Sequence, residues 1–126
     1  MKFLIIRDDW KKFELLDLVA KKLFLTKGIG VADDKLTSFE FALRSAGIAG
    51  TNIVLISSIF PPNARLVPRK EGLKLIKPGQ ILFSIYSRNQ ANEPNRLISA
   101  SVGIAQPKDR SKYGYLSEYD TFGKNE

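Results

Sequence analysis

Cysteine and histidine are both absent from this chain, and tryptophan and methionine occur once each. Each absence excludes a chemistry. Without histidine there can be no Ser-His-Asp triad. Without histidine and cysteine the usual zinc sites are excluded as well. A disulfide framework is impossible, and nothing else argues for export, so the expected compartment is the cytoplasm. No apolar run approaches the length of a membrane span. The opening stretch Met1 to Arg7 is too short for a signal-peptide core, and Asp8 and Asp9 follow it directly. No glycine-rich phosphate loop occurs, and Gly28-Ile29-Gly30 falls far short of a dinucleotide fingerprint. An enzyme built from this composition needs an electrophile that ordinary side chains do not supply.

What is present points to one globular unit, residues 1–126, with a modest core. Apolar residues make up 44% of the chain, which suits a folded domain rather than a disordered one. The formal net charge is +7, which permits attraction to nucleic acid. Lysine and arginine are spread along the chain, however, with no run above two, as on a solvated basic surface. No RNA-recognition aromatic motif or helix-turn-helix pattern is evident. Neither a nucleic-acid partner nor a membrane is expected.

The stretch Asn52 to Pro62 organises the rest. Ile53 to Ile56 is a β-branched and apolar run with the composition of a buried strand. It ends in two hydroxyls, Ser57 and Ser58. Pro61 and Pro62 follow and offer no N–H to a sheet, so the strand has to stop or leave its sheet. On this local pattern alone, a strand end with solvated hydroxyls is the simpler reading.

Upstream, Lys2 to Arg7 reads as a strand and Trp10 to Ala20 as a helix with Asp8 or Asp9 as its cap. Lys22 to Lys27 reads as a strand closed by Gly28, and Gly30 to Asp34 as a loop. Asp34 is placed to cap a second helix, with Leu36, Phe39, Leu43 and Ala46 on one face and Gly47 at its left-handed stop. Glu40 lies off the middle of that face, where a solvated carboxylate is the simple account. Downstream, Ala64 to Val67 reads as extended, and Glu71 to Ile76 is ambiguous, at most a helical turn. Lys77-Pro78-Gly79-Gln80 has the residues of a tight turn.

Ile81 to Tyr86 alternates as a strand, and Asn89 to Asn95 is a polar loop. In Arg96 to Ala105, Ile98, Ala100, Val102 and Ile104 share a core face. Leu97, Ser99, Ser101, Gly103 and Ala105 form the other face, which is mostly small and open to close approach. Pro107 to Lys112 is a charged loop before a last strand, Tyr113 to Tyr119, carrying Glu118. With strands dominant and no βαβ alternation evident, the class is α+β with a mostly antiparallel sheet.

Several of these stretches together resemble the pyruvoyl-dependent arginine decarboxylases. They are Ala46-Gly47-Ile48, Asn52, Ile56-Ser57-Ser58-Ile59 with Pro61-Pro62, and Val67-Pro68. Downstream, Ile98-Ser99-Ala100-Ser101-Val102, Pro107-Lys108-Asp109-Arg110-Ser111, Gly114 and Glu118-Tyr119 continue the match. The resemblance runs from about Leu25 to Tyr119. It implies a chain that cuts itself. Ser58 attacks the carbonyl of Ser57, the peptide becomes an ester, and β-elimination severs it between Ser57 and Ser58. Hydration with loss of ammonia then leaves a pyruvoyl group, derived from Ser58, as the covalent cofactor.

The resemblance gives Asn52 a part in this cleavage as a donor to the oxyanion. It makes Glu118 the catalytic glutamate, a buried carboxyl that returns a proton after carbon dioxide leaves. Glu40 falls where the family places an aspartate that pairs with the substrate guanidinium; a glutamate, though longer, makes the same bidentate pair, so arginine, a small-molecule amino acid, is the expected substrate. The implied fold is a four-layer αββα sandwich assembled as a homotrimer or a dimer of trimers, with active sites shared between subunits. Relative to that pattern the chain stops soon after the Glu118 strand and carries an additional segment, Met1 to Ala20. Three accounts stand: a truncated product, half of a split gene that needs a separate C-terminal partner chain, or a degenerate relative. The alternatives for function are an uncleaved structural or regulatory relative of the same fold and a basic nucleic-acid-binding domain.

Overall fold

The computed structural model describes residues 18–123. The expected strand Lys2 to Arg7 and most of the helix from Trp10 lie outside that range. Positions 18 to 20, at the expected end of that helix, are not helical. Nine elements follow in the order β1 (Lys22–Leu23), α1 (Lys35–Ala46), β2 (Asn52–Leu55), β3 (Ile59–Phe60), β4 (Arg65–Leu66), α2 (Arg69–Leu75), β5 (Ile81–Ser84), β6 (Ile98–Ala105) and β7 (Gly114–Phe122). No described helix is long and apolar enough to cross a membrane.

Both ends of α1 are chemically marked. Asp34 has extended backbone and accepts the Thr37 N–H at 2.9 Å. The Thr37 side chain, and then that backbone bond, hold its carboxyl below the usual carboxylate range. At the other end Gly47, at φ 83°, takes the left-handed conformation that a Cβ penalises. Its N–H and that of Ile48 return to carbonyls of the last turn, including Leu43 at 3.0 Å from Ile48. Arg69 closes the same end from outside, with Nη2 3.2 Å from the Ala46 carbonyl and Nε 2.9 Å from Thr26 Oγ1.

The face of α1 that meets the chain differs from the expected one. Ala46 is buried and Phe39 and Leu43 are half-buried, but Leu36 is 79% exposed. The reason lies in residues 28–30, which cross the helix over Ser38, Ala42 and Ala46. A Cβ on Gly28 would collide with the backbone of Ala42 and Ala46, and one on Gly30 with that of Ser38 and Ala42. Gly28-Ile29-Gly30 thus permits backbone-to-backbone packing, and Leu36 lies beyond the crossing.

The sheets are mixed. β3, β7 and β6 form a three-stranded antiparallel sheet in the order β3-β7-β6. β2 pairs with β5 in parallel, from Asn52↔Ile81 to Leu55↔Ser84, and β1 pairs with β4 in parallel. The expected antiparallel arrangement therefore describes one sheet and not the two strand pairs. A parallel pair needs a long crossover. Here β3, β4 and α2 lie in the connection from β2 to β5, a βαβ relation hidden by the short intervening strands. The ambiguous stretch around Glu71 is helix α2, where Gly72 lets the ring of Phe24 sit against the helix. The strand expected over Lys22 to Lys27 is only Lys22–Leu23.

The buried core is small and sits behind β3. Phe60, Ala64 and Leu116 are buried, with Leu23, Ile85 and Ile104 packed against them. Burying a Phe or Leu side chain contributes roughly 2 kcal/mol each. Along β6 the expected face is confirmed: Ile98, Val102 and Ile104 are partly buried, while Ser99, Ser101, Gly103 and Ala105 are exposed. Ala100, placed on the core face, is exposed opposite Asp120.

Gly28→Ala tests the helix crossing. The added methyl has backbone on its far side and cannot be absorbed by a rotamer change. We expect a loss of about 1–3 kcal/mol, the scale of overpacking, in a denaturant unfolding titration. An unchanged midpoint would show that α1 is held mainly by other contacts.

Candidate active site

Ser57 and Ser58 lie where the chain passes from one sheet to the other. β2 ends at Leu55, and its ladder adds one more bond, from the Ile56 N–H to the Ser84 carbonyl at 3.0 Å. Two residues on, the Ser58 carbonyl accepts the Leu116 N–H of β7 at 2.7 Å. β3 then pairs Ile59 with Tyr115 and Phe60 with Gly114. The serine pair is thus suspended between two anchored backbones, and both residues are exposed. The sequence reading placed the prolines at the end of the strand before the serines. They end β3 instead. Pro61 accepts from the Ala64 N–H at 3.3 Å in a turn that docks on the charged loop. Arg110 holds that turn twice: its carbonyl accepts the Asn63 N–H at 2.8 Å and its Nη2 donates to the Ala64 carbonyl at 2.9 Å.

Glu118 stands beside this crossing. Its neighbour two residues back, Leu116, is the residue bonded to Ser58. Alternation along β7 puts Glu118 on the face of Gly114 and Leu116, opposite Val102 of β6. The register of β3 carries position 58 to that same face, about 7 Å along the strand from Glu118. Glu118 is exposed on the single chain, in contrast to the buried carboxyl that was expected.

Asn52 and Glu40 are engaged elsewhere in the same chain. Asn52 opens β2, and its amide donates to the Gly79 carbonyl at 2.9 Å. The turn it meets is the expected one, with Gly79 at φ 78° and the Gln80 N–H on the Lys77 carbonyl at 3.1 Å. Three residues of strand put Leu55 about 10 Å beyond Asn52. One chain therefore does not bring Asn52 to its own Ser57–Ser58 peptide. Glu40 sits on α1 and accepts from Arg44 Nε at 2.9 Å through Oε1, with both side chains solvated. One helix turn of this kind is a weak pair, so it leaves the carboxylate available to another guanidinium.

Two kinds of group were missed in the sequence reading. The anchors of the crossing, the Ser84 carbonyl and the Leu116 N–H, belong to the backbone and carry no side-chain signature. The segment after β5 reads as strand and loop in the sequence, yet it contacts α1, β6 and β7. Tyr86 packs on Phe39 of α1, with ring centroids 6.0 Å apart, and the Arg88 guanidinium lies 3.9 Å from the centre of the Phe39 ring. Ser87 and Asn89 point the other way, to β7. Its signal was the alternation of long and short polar side chains.

Comparison with known proteins identifies the family. The family model for pyruvoyl-dependent arginine decarboxylase matches residues 22–126. A pyruvoyl-dependent arginine decarboxylase of Nitrosopumilus maritimus is 74% identical over 112 residues, covering 89% of this chain and 61% of that protein. Those of Thermoplasma volcanium and Methanococcoides burtonii are 55% and 52% identical over 108 and 109 residues, each covering 86% of this chain. They are covered over 59% and 61% of their own lengths. The chain thus spans about three fifths of the curated relatives it matches. Given a family match over all but the first 21 residues, this chain belongs to the pyruvoyl-dependent arginine decarboxylase family.

Proposed function

We propose that the chain is a self-cleaving, pyruvoyl-dependent decarboxylase that converts arginine to agmatine and carbon dioxide in the cytoplasm. The observation that carries this reading is the suspended serine pair, held by Ser84 on one side and by Leu116 on the other, with Glu118 two residues beyond Leu116.

The residues fit a cofactor made from the chain itself. Two adjacent hydroxyls are present at a restrained, exposed peptide, in a chain that has no histidine or cysteine to serve as nucleophile or base. Ser58 Oγ attacks the Ser57 carbonyl carbon, and the C–N bond gives way to an ester. Loss of the Ser58 α-proton expels the Ser57 carboxylate, and water then replaces the nitrogen as ammonia. Anchoring both flanks supplies the orientation that a weak hydroxyl nucleophile needs. The finished pyruvoyl group supplies a ketone that condenses with an α-amine and accepts the electron pair freed as carbon dioxide departs. Glu118 then gives its proton to the substrate α-carbon. Glu40 pairs with the substrate guanidinium in place of Arg44.

Assembly completes the site. The fold we propose is the αββα sandwich of the family, in a homotrimer or a dimer of trimers. A parallel pair is normally covered on both faces. Here Val54, Ile81 and Phe83 share one face of β2–β5 and are exposed. Such an assembly also accounts for Asn52, whose oxyanion role requires it to reach the serine pair of a neighbouring subunit.

Cleavage is the first test. Denaturing mass spectrometry should give two chains that part between Ser57 and Ser58. The larger chain should resist N-terminal sequencing, because a pyruvoyl end has no amine. Under native conditions the two should elute together, since β1 remains paired to β4 and β2 to β5 across the cut. Ser58→Ala should remain one chain. A parent that stays intact on prolonged warm incubation, with a partner chain supplied, favours the uncleaved structural relative.

Glu118→Gln separates the proton donor from the cleavage. The variant should still cleave, and carbon dioxide release should fall about a hundredfold or more, the scale of a lost general acid. Release at the parental rate removes Glu118 from the role.

For the guanidinium pocket, Glu40→Gln keeps the shape and removes the charge. Arginine binding should weaken by about 2 kcal/mol, or roughly 30-fold in KM, as for a hydrogen bond to a charged group. An unaltered KM places the guanidinium elsewhere.

A further inference from the structure

The segment from Ser84 to Asn89 touches every element that carries a proposed site residue. At its start, the Ser84 carbonyl holds the Ile56 N–H, one residue before Ser57. Beyond it the backbone alternates. Tyr86 and Arg88 face α1, the helix of Glu40, through the ring of Phe39. Ser87 and Asn89 face β7, the strand of Glu118. Ser87 Oγ donates to the Tyr119 carbonyl at 2.8 Å. Asn89 Nδ2 donates to the Thr121 carbonyl at 2.8 Å and to the Ser99 carbonyl at 3.3 Å. Ser101 Oγ of β6 adds a weaker donor to the Tyr119 carbonyl at 3.3 Å.

These bonds lie next to Glu118 in the chain. β3 ends opposite Gly114 and Tyr115, with the Ser58 bond to Leu116 as its last tie. From Glu118 onward β7 has no β3 beside it, and the side chains of Ser87 and Asn89 stand in for the missing strand. Both residues are half-buried, and the Asn89 bond to Thr121 is itself partly shielded from water.

We propose that residues 84–89 form a positioning strap, in which Ser87 and Asn89 fix the height of Glu118 relative to Ser58 while Tyr86 and Arg88 fix α1. This rests on the decarboxylase reading for its chemical consequence, not for its geometry. Ser87 and Asn89 touch neither substrate nor reacting atoms. They act through the backbone of β7.

The experiment uses the full chain carrying Ser87→Ala, with Ser87→Thr as the conservative control. Loss of one hydroxyl leaves the Asn89 bonds and the fold in place. Amide hydrogen exchange is read first, without substrate. Exchange at residues 117–122 should rise several-fold in Ser87→Ala, return to the parental rate in Ser87→Thr, and stay unchanged in β2. Turnover with arginine is read next. KM should hold while kcat falls about tenfold or more, the scale of a displaced catalytic group.

A second readout concerns where the proton lands. A misplaced Glu118 lets it add to the carbon derived from the pyruvoyl ketone instead of the substrate α-carbon. One water then releases the substrate skeleton as a guanidino aldehyde and leaves an amine on the chain. The larger chain becomes open to sequencing and begins Ala-Ile-Phe. That product should accumulate several-fold faster per turnover in Ser87→Ala, and Ser87→Thr should restore the parental ratio. Unchanged exchange in β7, or a fall in kcat with an unchanged ratio, overturns the strap. Failure of the parent to cleave overturns the decarboxylase reading instead, and the exchange measurement still decides whether Ser87 holds β7.

Discussion

Everything in this fold depends on how one short stretch of backbone changes sheets. Between the Ile56 N–H, bonded to Ser84, and the Ser58 carbonyl, bonded to Leu116, there is room only for the two serines. The change is forced by geometry. β2 belongs to a parallel pair with β5, and β3 belongs to an antiparallel sheet with β7. The two strands lie in different sheets, and the Ser57–Ser58 peptide that joins them belongs to neither ladder. A peptide held at its ends but not along its length has limited freedom and an accessible carbonyl. That combination favours an intramolecular reaction over ordinary hydrolysis.

The proposed cleavage at this point would cost the fold little. Each new end stays fastened to a different sheet. The core of Phe60, Ala64 and Leu116 lies wholly downstream of the cut and packs directly behind β3. Only Leu23, packed against that core, belongs to the upstream part. Two parallel pairs, β1 with β4 and β2 with β5, then tie the upstream part to the downstream part through backbone bonds. The long crossover that parallel pairing requires is what places the strands of each pair on opposite sides of Ser57.

Local chemistry was legible in the sequence, and non-local pairing was not. Asp34 and Gly47 mark the ends of α1, Pro78-Gly79 makes its turn, and the alternation of Ile98 to Ala105 assigns the faces of β6. Each is decided within a few residues. The parallel partner of β2 lies 25 residues or more away and leaves no mark on Ile53 to Leu55. Leu36 was misassigned because helical spacing predicts a face without saying what crosses it, and the crossing at Gly28 and Gly30 is a tertiary fact. The residue types at Ser57, Ser58 and Glu118 were readable through the family pattern. Their relation in space rests on a register, Leu116 against Ser58, that only the pairing of β3 with β7 defines.

The distribution of exposure follows from the same architecture. A two-stranded sheet is marginal by itself, and parallel pairs are ordinarily covered on both faces. β2 and β5 nonetheless present Val54, Ile81 and Phe83 to solvent on the isolated chain, on the pair that anchors the peptide proposed for cleavage. Covering that face would stiffen the Ile56 anchor and withdraw water from the serines in one step. In the proposed cleavage, water reaching the Ser57–Ser58 ester would hydrolyse it before elimination, so the two effects act in the same direction. Packing on β2–β5 therefore bears directly on the chemistry at its end. The contribution of any neighbouring layer is to be measured by how fast the Ser57–Ser58 bond breaks as well as by how stable the fold becomes.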